Sequence, residues 1–237
     1  MAYGDQSVAD IDIIERIDNI QTLIRQTEAS CRREPGSVQL LAVSKGHSAS
    51  MIKQAFTAGL RDFGESYLQE AQSKLNTLST LPICWHFIGP VQSNKTQAIA
   101  QNFSWVHGVS RFKIAQRLND ARPISMPPLN ICLQVNFDEE ASKSGIDPAE
   151  VEALASAVLR LPRLRLRGLM MIPRKNVDEA LQYLSFVRLT NLLNALNHNL
   201  SLTLDTLSMG MSDDWQAAIR AGSTMIRIGS AIFGERQ

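Results

Sequence analysis

The sequence predicts an α/β protein, a single (βα)8 TIM barrel with an extra N-terminal helix, spanning residues 1–237 as one domain. Three observations carry this expectation. Eight short apolar runs alternate with helical stretches along the chain. Regular alternation of that kind implies a parallel sheet with both faces covered. Eight units within about 200 residues suit a closed barrel better than an open doubly wound sheet, which would carry fewer strands and a Gly-rich first turn.

The elements follow in order. Residues 8–33 place Ile11, Ile14, Ile17, Ile20, Leu23 and Ile24 at three- and four-residue spacing, the pattern of an amphipathic helix that packs one face on a larger body. Strand candidates then fall at 39–43, 62–63, 83–88, 105–107, 130–135, 166–171, 206–207 and 225–228. Between them, Ser110 is placed to cap the stretch 111–120, and Asp147 with Pro148 supplies a cap and a first-turn proline for 149–161. Gly59, Gly89, Gly108, Gly168, Gly210, Gly222 and Gly229 punctuate the turns. The proline-dense stretch 126–130 is too short to divide domains and reads as the turn into the fifth strand.

Composition narrows the function. The chain is 44% hydrophobic and 20% charged, with a formal net charge of +1, so it has ample core material and no global field to draw nucleic acid or an acidic membrane face. The stretch RLPRLRLRG (160–168) alternates Arg with Leu at strand period and reads as a solvated strand approach rather than a nucleic-acid patch. Cys31, Cys84 and Cys132 are far apart and lack CxxC or Cys/His ligand spacing, so neither a disulfide framework nor a zinc site is expected. The N-terminus lacks the features of a signal peptide and no apolar run has the length of a membrane span, which points to the cytosol.

Chemistry concentrates at the strand ends. Lys45 closes the apolar run Leu40 to Ser44 and precedes Gly46. An amine at the end of a buried strand is partly desolvated, which favours its neutral, nucleophilic form. The segments TLSMGMSDD (206–214) and MIRIGS (225–230) bring Ser208, Gly210, Arg227, Gly229 and Ser230 to the ends of strands seven and eight. Barrels bind phosphate at that place, and closure makes strand one their neighbour. Glycines admit close backbone approach, serines donate, and Arg227 adds permanent charge. A carbonyl-trapping lysine beside a phosphate cradle suggests pyridoxal 5'-phosphate (PLP). Asp213 and Asp214 read as the first turn of the next helix behind a Ser212 cap, pointing away from the anion.

Seven stretches in order, LLAVSK, DFGESYLQE (62–70), WHFIGPVQSNK (85–95), SKSGI (142–146), LRLRGLM (164–170), LSMGMSDD and RIGSAIFG (227–234), resemble the pyridoxal phosphate homeostasis proteins of the YggS/PROSC type. The resemblance runs from Val38 to the C-terminus. It implies a barrel similar to the N-terminal domain of alanine racemases, with PLP joined to Lys45 as an aldimine, phosphate contacts on Ser208, Gly229 and Ser230, and Arg227 beside the cofactor. It further implies a role in intracellular vitamin B6 homeostasis. Two positions depart from the family pattern: SKGHS stands for SKTKP, replacing a second lysine by His47, and FGESY for FGENY, placing Ser66 where the family has Asn.

A holder is expected rather than a catalyst. Carbanion-forming PLP enzymes keep the ring nitrogen protonated with a carboxylate, whereas an arginine there disfavours the protonated ring. Racemases of this barrel type also bring a second base from an added β-domain. The chain is therefore expected to carry or buffer PLP for apo-enzymes, to bind other B6 vitamers, and to be monomeric, without nucleic-acid or membrane partners. The alternatives are a PLP-dependent amino-acid racemase and a cofactor-free, class I aldolase-like barrel.

Lesser candidates complete the reading. His86 and His107 read as hydrogen-bonded wall histidines, with lining of the mouth as the alternative. His198 reads as a helix-end residue, Asn94 and Lys95 as a helix N-terminal face, and Lys143 as a solvated loop lysine, with contact to a second vitamer or to the phosphate during transfer as the alternative. Met170 and Met171 are expected to fill the barrel top below a planar ring.

Overall fold

The computed structural model describes residues 8–137, 144–174 and 178–235, the side chains of 8–12 excepted. Eight parallel strands close into a barrel in sequence order: β1 (Gln39–Val43), β2 (Asp62–Glu65), β3 (Cys84–Phe87), β4 (Trp105–Val109), β5 (Leu129–Gln134), β6 (Leu164–Met170), β7 (Thr206–Ser208) and β8 (Met225–Ile228). Closure is made by β8 on β1, with Leu40 beside Ile226 and Leu41 beside Arg227. Each predicted strand lies within about two residues of its place, the ordinary uncertainty of element ends.

Helices wrap the sheet: α1 (Val8–Ser30), α2 (Ala49–Thr57), α3 (Leu68–Thr77), α4 (Thr96–Asn102), α5 (Phe112–Ala121), α6 (Val151–Val158), α7 (Glu179–Asn199), α8 (Trp215–Arg220) and α9 (Ser230–Phe233). The extra helix α1 packs against α2, α8 and α9, covering the side of the barrel where β8 meets β1. Its buried stripe is Ile13, Ile17, Ile20 and Ile24, whereas Ile14 and Leu23 are about 40% exposed. The expected face is thus rotated by one residue at Ile14. Ile17 is wholly buried, worth roughly 1.5–3 kcal/mol for a side chain of that size.

Two caps differ in outcome. The Asp147 side chain accepts from Ala149 N and caps a short 3-10 turn, Pro148–Glu150, that leads into α6. Ser110 does not cap α5, whose N-cap is Arg111 in extended conformation with no side-chain cap bond. The chain enters that helix one residue later than the serine allows.

The outer core is aliphatic and aromatic, with Phe63, Phe103 and Phe186 fully buried between sheet and helices. The barrel interior is different. Its apolar cluster is small, formed by Leu41, Trp105, Cys132, Met170 and Met225. Barrel interiors are usually packed with branched aliphatic residues; here Asp62, His86, His107, Ser208 and Arg227 run through the middle instead.

Candidate functional site

A cavity of about 460 Å³ opens at the C-terminal ends of the strands. Lys45, His47, Ser66, Ser212, Arg227 and Ser230 supply its polar lining, and Val43, Ile88, Ile172 and Met211 its apolar walls. Lys45 stands two residues beyond β1 and is half-buried. Gly46, next to it, has φ of +79°, which sends the chain sharply over the rim toward α2.

The backbone that carries Lys45 is held from below. The Lys74 ammonium, on α3, lies 2.7 Å from Ser44 O, 2.7 Å from Glu65 Oε1 and 2.6 Å from Glu70 Oε1. The Ser44 hydroxyl donates to Glu65 Oε1 at 2.6 Å, and Gly46 N donates to Glu70 Oε1 at 2.6 Å. The residues on both sides of Lys45 are therefore fixed by one buried ion network. Burial works to raise both carboxyls. For Glu65 it prevails over Lys74 and Ser44, and the carboxyl sits above its usual range. For Glu70 the Lys74 ammonium and the Gly46 amide outweigh it, and the carboxyl sits below.

In the same cavity, the hydroxyls of Ser212 and Ser230 lie 3.3 Å apart. They are delivered by the turns after β7 and β8. Gly210 has φ of +97°, and a Cβ on it would come within 2.7 Å of the Ala218 Cβ, so only glycine makes this turn. Ser230 opens the short helix α9, whose Ile232 and Phe233 amides both donate to Gly229 O at 2.9 Å.

Arg227, nearly buried on β8, contributes to the lining from below. Its Nη1 donates to Ser208 O at 2.7 Å and to Ser208 Oγ at 2.9 Å, and its Nη2 donates to Met171 O at 2.9 Å. Burial pulls the guanidinium down to about 10, so it keeps its charge at neutral pH.

Beneath Arg227 a chain of side chains crosses the barrel. Ser208 Oγ lies 2.8 Å from His107 Nδ1, His107 Nε2 lies 3.0 Å from His86 Nδ1, and His86 Nε2 lies 3.0 Å from Asp62 Oδ1. Both ends dictate its direction. Arg227 can only donate. Burial works to raise the Asp62 carboxyl, but His86, Gln39 and Cys84 outweigh it, so Asp62 is an acceptor. His86 therefore donates from Nε2, His107 from Nε2, and Ser208 from its hydroxyl, with every donor facing an acceptor. Burial lowers both imidazoles, prevailing at His86 over Asp62, and at His107 repulsion from a protonated His86 and from Arg227 adds to it, so the neutral form of each is favoured.

The sequence-derived site residues are now located. Lys45, Arg227, Gly229 and Ser230 meet at the cavity. Ser208 does not: it is fully buried, its hydroxyl engaged by Arg227 and His107. Gly210 shapes the turn rather than lining the cavity, and its carbonyl accepts from Arg227 N at 3.0 Å. Ser212, read as a helix cap, faces the cavity instead, because Asp214 takes the N-cap position and accepts from Met211 N at 2.5 Å. His86 and His107 are interior wall residues rather than mouth residues. Met170 and Met171 are buried, and the apolar lining of the cavity includes Ile172 and Met211. His47 borders it and stacks on Phe233 at 5.1 Å. Lys143 lies outside the described residues. Lys74 and Glu65 carried no sequence signal beyond an acidic and a basic residue near predicted elements.

Comparison with known proteins adds the family. The family model for the alanine racemase N-terminal domain matches residues 16–237. The pyridoxal phosphate homeostasis protein of Pseudomonas aeruginosa is 56% identical over 224 residues, covering 94% of this chain and 96% of that one. Its Escherichia coli counterpart is 47% identical over 232 residues, covering 95% and 97%. The structure of PipY of Synechococcus elongatus with PLP bound is 35% identical, has a TM-score of 0.83, and covers 94% of this chain and 100% of that one. Alanine racemase from Corynebacterium glutamicum shares the fold, at 18% identity and a TM-score of 0.67 over 61% of its own chain. A closed eight-stranded barrel with a lysine at the end of β1, matched along nearly its whole length by such relatives, belongs to the pyridoxal phosphate homeostasis proteins within the alanine racemase N-terminal domain family.

Proposed function

We propose that the chain binds PLP in the mouth cavity and serves vitamin B6 homeostasis. The observation that carries this reading is that Lys45, the Ser212–Ser230 pair and Arg227 line one cavity of about 460 Å³. The residues present fit the group. Lys45 offers the amine for the aldehyde carbon. Ser212 and Ser230, with the backbone at Gly229, offer donors for the phosphate. Ile172 and Met211 offer apolar faces for the ring. Bound PLP supplies an aldehyde that condenses with amines.

The chain's own groups favour storage over turnover. Arg227 is held by three hydrogen bonds from behind and presents positive charge to the cavity, which opposes protonation of a ring nitrogen placed against it. A proton-poor ring is a weak electron sink. Absence of catalysis, action as a cytosolic monomer built from one domain, binding of other vitamers and delivery to apo-enzymes all belong to this proposal. Among the described residues no helix is long and apolar enough to cross a membrane.

Borohydride reduction of the PLP-loaded protein, followed by peptide mapping, tests the assignment. The label is expected on Lys45 and is lost in Lys45→Ala; a label on any other lysine refutes it. Steady turnover of a free amino acid above the rate with free PLP would favour the racemase alternative.

A further inference from the structure

We propose that Asp62, Cys84 and His86 form a binding site for a zinc-class divalent metal at the N-terminal end of the barrel, connected through His107 and Ser208 to Arg227 at the mouth. The ligand atoms of the three residues all lie within 4.8 Å of one another. His86 Nε2 is 3.4 Å from Cys84 Sγ and 3.0 Å from Asp62 Oδ1. A tetrahedral metal with bonds of about 2.0 Å to nitrogen and oxygen and about 2.3 Å to sulfur spans edges of roughly 3.5 Å for N to S and roughly 3.3 Å for N to O. Two of the three edges thus stand within about 0.3 Å of the spacing that ligation requires, and the third is no longer than 4.8 Å, before any metal enters.

The donor set defines the metal class. One imidazole, one thiolate and one carboxylate suit zinc or cobalt and do not suit the all-oxygen preference of magnesium or calcium. Three protein ligands leave a fourth position for water, the open form of a zinc site.

Surrounding contacts hold the ligands in place. The His86 ring stacks on Trp105, with centroids 5.4 Å apart and planes within 8°. His86 Nδ1 is engaged by His107, as the second nitrogen of a metal-binding histidine generally is by some partner. A way in exists as well: Asp62 lines a second cavity of about 240 Å³, between α1 and the starts of β1 and β2.

The proton balance gives the connection. The metal takes Cys84 Sγ in place of the thiol proton, which is released. It takes His86 Nε2 in place of the proton now directed at Asp62. A neutral His86 must then carry its proton on Nδ1 and donate to His107 Nε2, and His107 must carry its own on Nδ1 and donate to Ser208 Oγ. The protons displaced from Cys84 and from His86 Nε2 pass to water, His86 Nδ1 takes its proton from His107, His107 Nδ1 takes its proton from Ser208, and water admitted through the mouth cavity returns one proton to Ser208, so both histidines exchange tautomers without changing charge. Ser208 Oγ then accepts from both His107 and Arg227, and its own hydroxyl proton turns away from the chain. A metal at one end is felt by the guanidinium at the other.

Titration of the full-length, PLP-free protein with Co²⁺ tests the site. The expected result is a near-ultraviolet thiolate-to-cobalt charge-transfer band that saturates at one equivalent, is displaced by Zn²⁺, and disappears in Cys84→Ser and Asp62→Asn. Absence of the band, or its survival in Cys84→Ser, overturns the site. Long-range ¹H–¹⁵N spectra of the imidazoles in the unsubstituted protein test the connection without relying on any variant's folding. Zn²⁺ is expected to move the proton of His86 and of His107 from Nε2 to Nδ1; bound metal with unchanged tautomers overturns the wiring. Neither measurement involves PLP, so a negative outcome leaves the reading of the mouth standing, and failure of that reading leaves this one.

Discussion

The two ends of the barrel treat their polar groups in opposite ways. At the mouth, the Lys45 amine and the Ser212 and Ser230 hydroxyls border an open cavity. In the interior below, Ser208, His107, His86 and Asp62 are joined donor to acceptor in one direction. A group that binds must keep bonding capacity in reserve, whereas a group that supports must spend it. Arg227 sits at the boundary and does both, spending donors on Ser208 and Met171 while lining the cavity.

This contrast can be broken by substitution. The largest effect is expected from Lys45→Ala, which should abolish the absorbance of lysine-bound PLP while lowering stability less than Lys74→Met does, because Lys45 is only half-buried at the cavity whereas Lys74 is buried in an ion network. Equilibrium PLP titration followed by denaturant unfolding would show both. A comparable loss of stability would mean that Lys45 is a support like Lys74.

Lys74→Met is its mirror image. Removing one partner from a buried ion network leaves Glu65 charged and uncompensated, a loss of about 3–5 kcal/mol. Glu65 already sits above its usual range, so it protonates readily and the loss should shrink as pH falls. Urea unfolding at two pH values reads this. A pH-independent loss would place the damage in packing instead.

Acid sharpens the comparison further. His107 is held well below its ordinary 6.5, chiefly by burial, then by the charges of His86 and Arg227. A depressed imidazole contributes stability that is complete above 6.5, the unfolded value, and is lost as pH falls toward the folded one. The expected slope is about 1.4 kcal/mol per pH unit for one proton below that point. His107→Gln should flatten it, and an unchanged slope would assign the acid sensitivity elsewhere. The smallest effect is expected from Ser212→Ala, which removes one phosphate donor at the cost of about 1 kcal/mol, roughly a fivefold weaker PLP affinity. Ser208→Ala should affect folding stability more than Ser212→Ala does, because its hydroxyl is buried and engaged on two sides.

The fold was legible because its signals are local. A short apolar run such as Leu40 to Val43, bounded by Gln39 and Ser44, marks a strand, and barrel closure follows from the number of such strands. The mouth was legible in part. Lys45, Gly229 and Ser230 stand at strand ends, and strand ends can be read. Ser208 and Ser212 could not be told apart by that rule: four residues separate them, and only the left-handed turn at Gly210 decides which faces the cavity. The interior chain was not legible. Its members come from β2, β3, β4, β7 and β8 and meet only when the sheet closes. Cys84 and His86 escape a search for zinc-finger spacing because a strand, unlike a finger loop, turns residues two apart to the same side.

The stacking of Trp105 on His86 gives the molecule an optical reporter of its own. Indole emission is quenched by an imidazolium in contact with it and responds to an ion held by the same ring. The other two tryptophans lie outside the barrel lumen, Trp85 against Phe63 and Trp215 at the start of α8. Replacing both with phenylalanine would leave a single fluorophore watching the far end of the barrel, able to follow in real time an event that no dye or label could be attached closely enough to see.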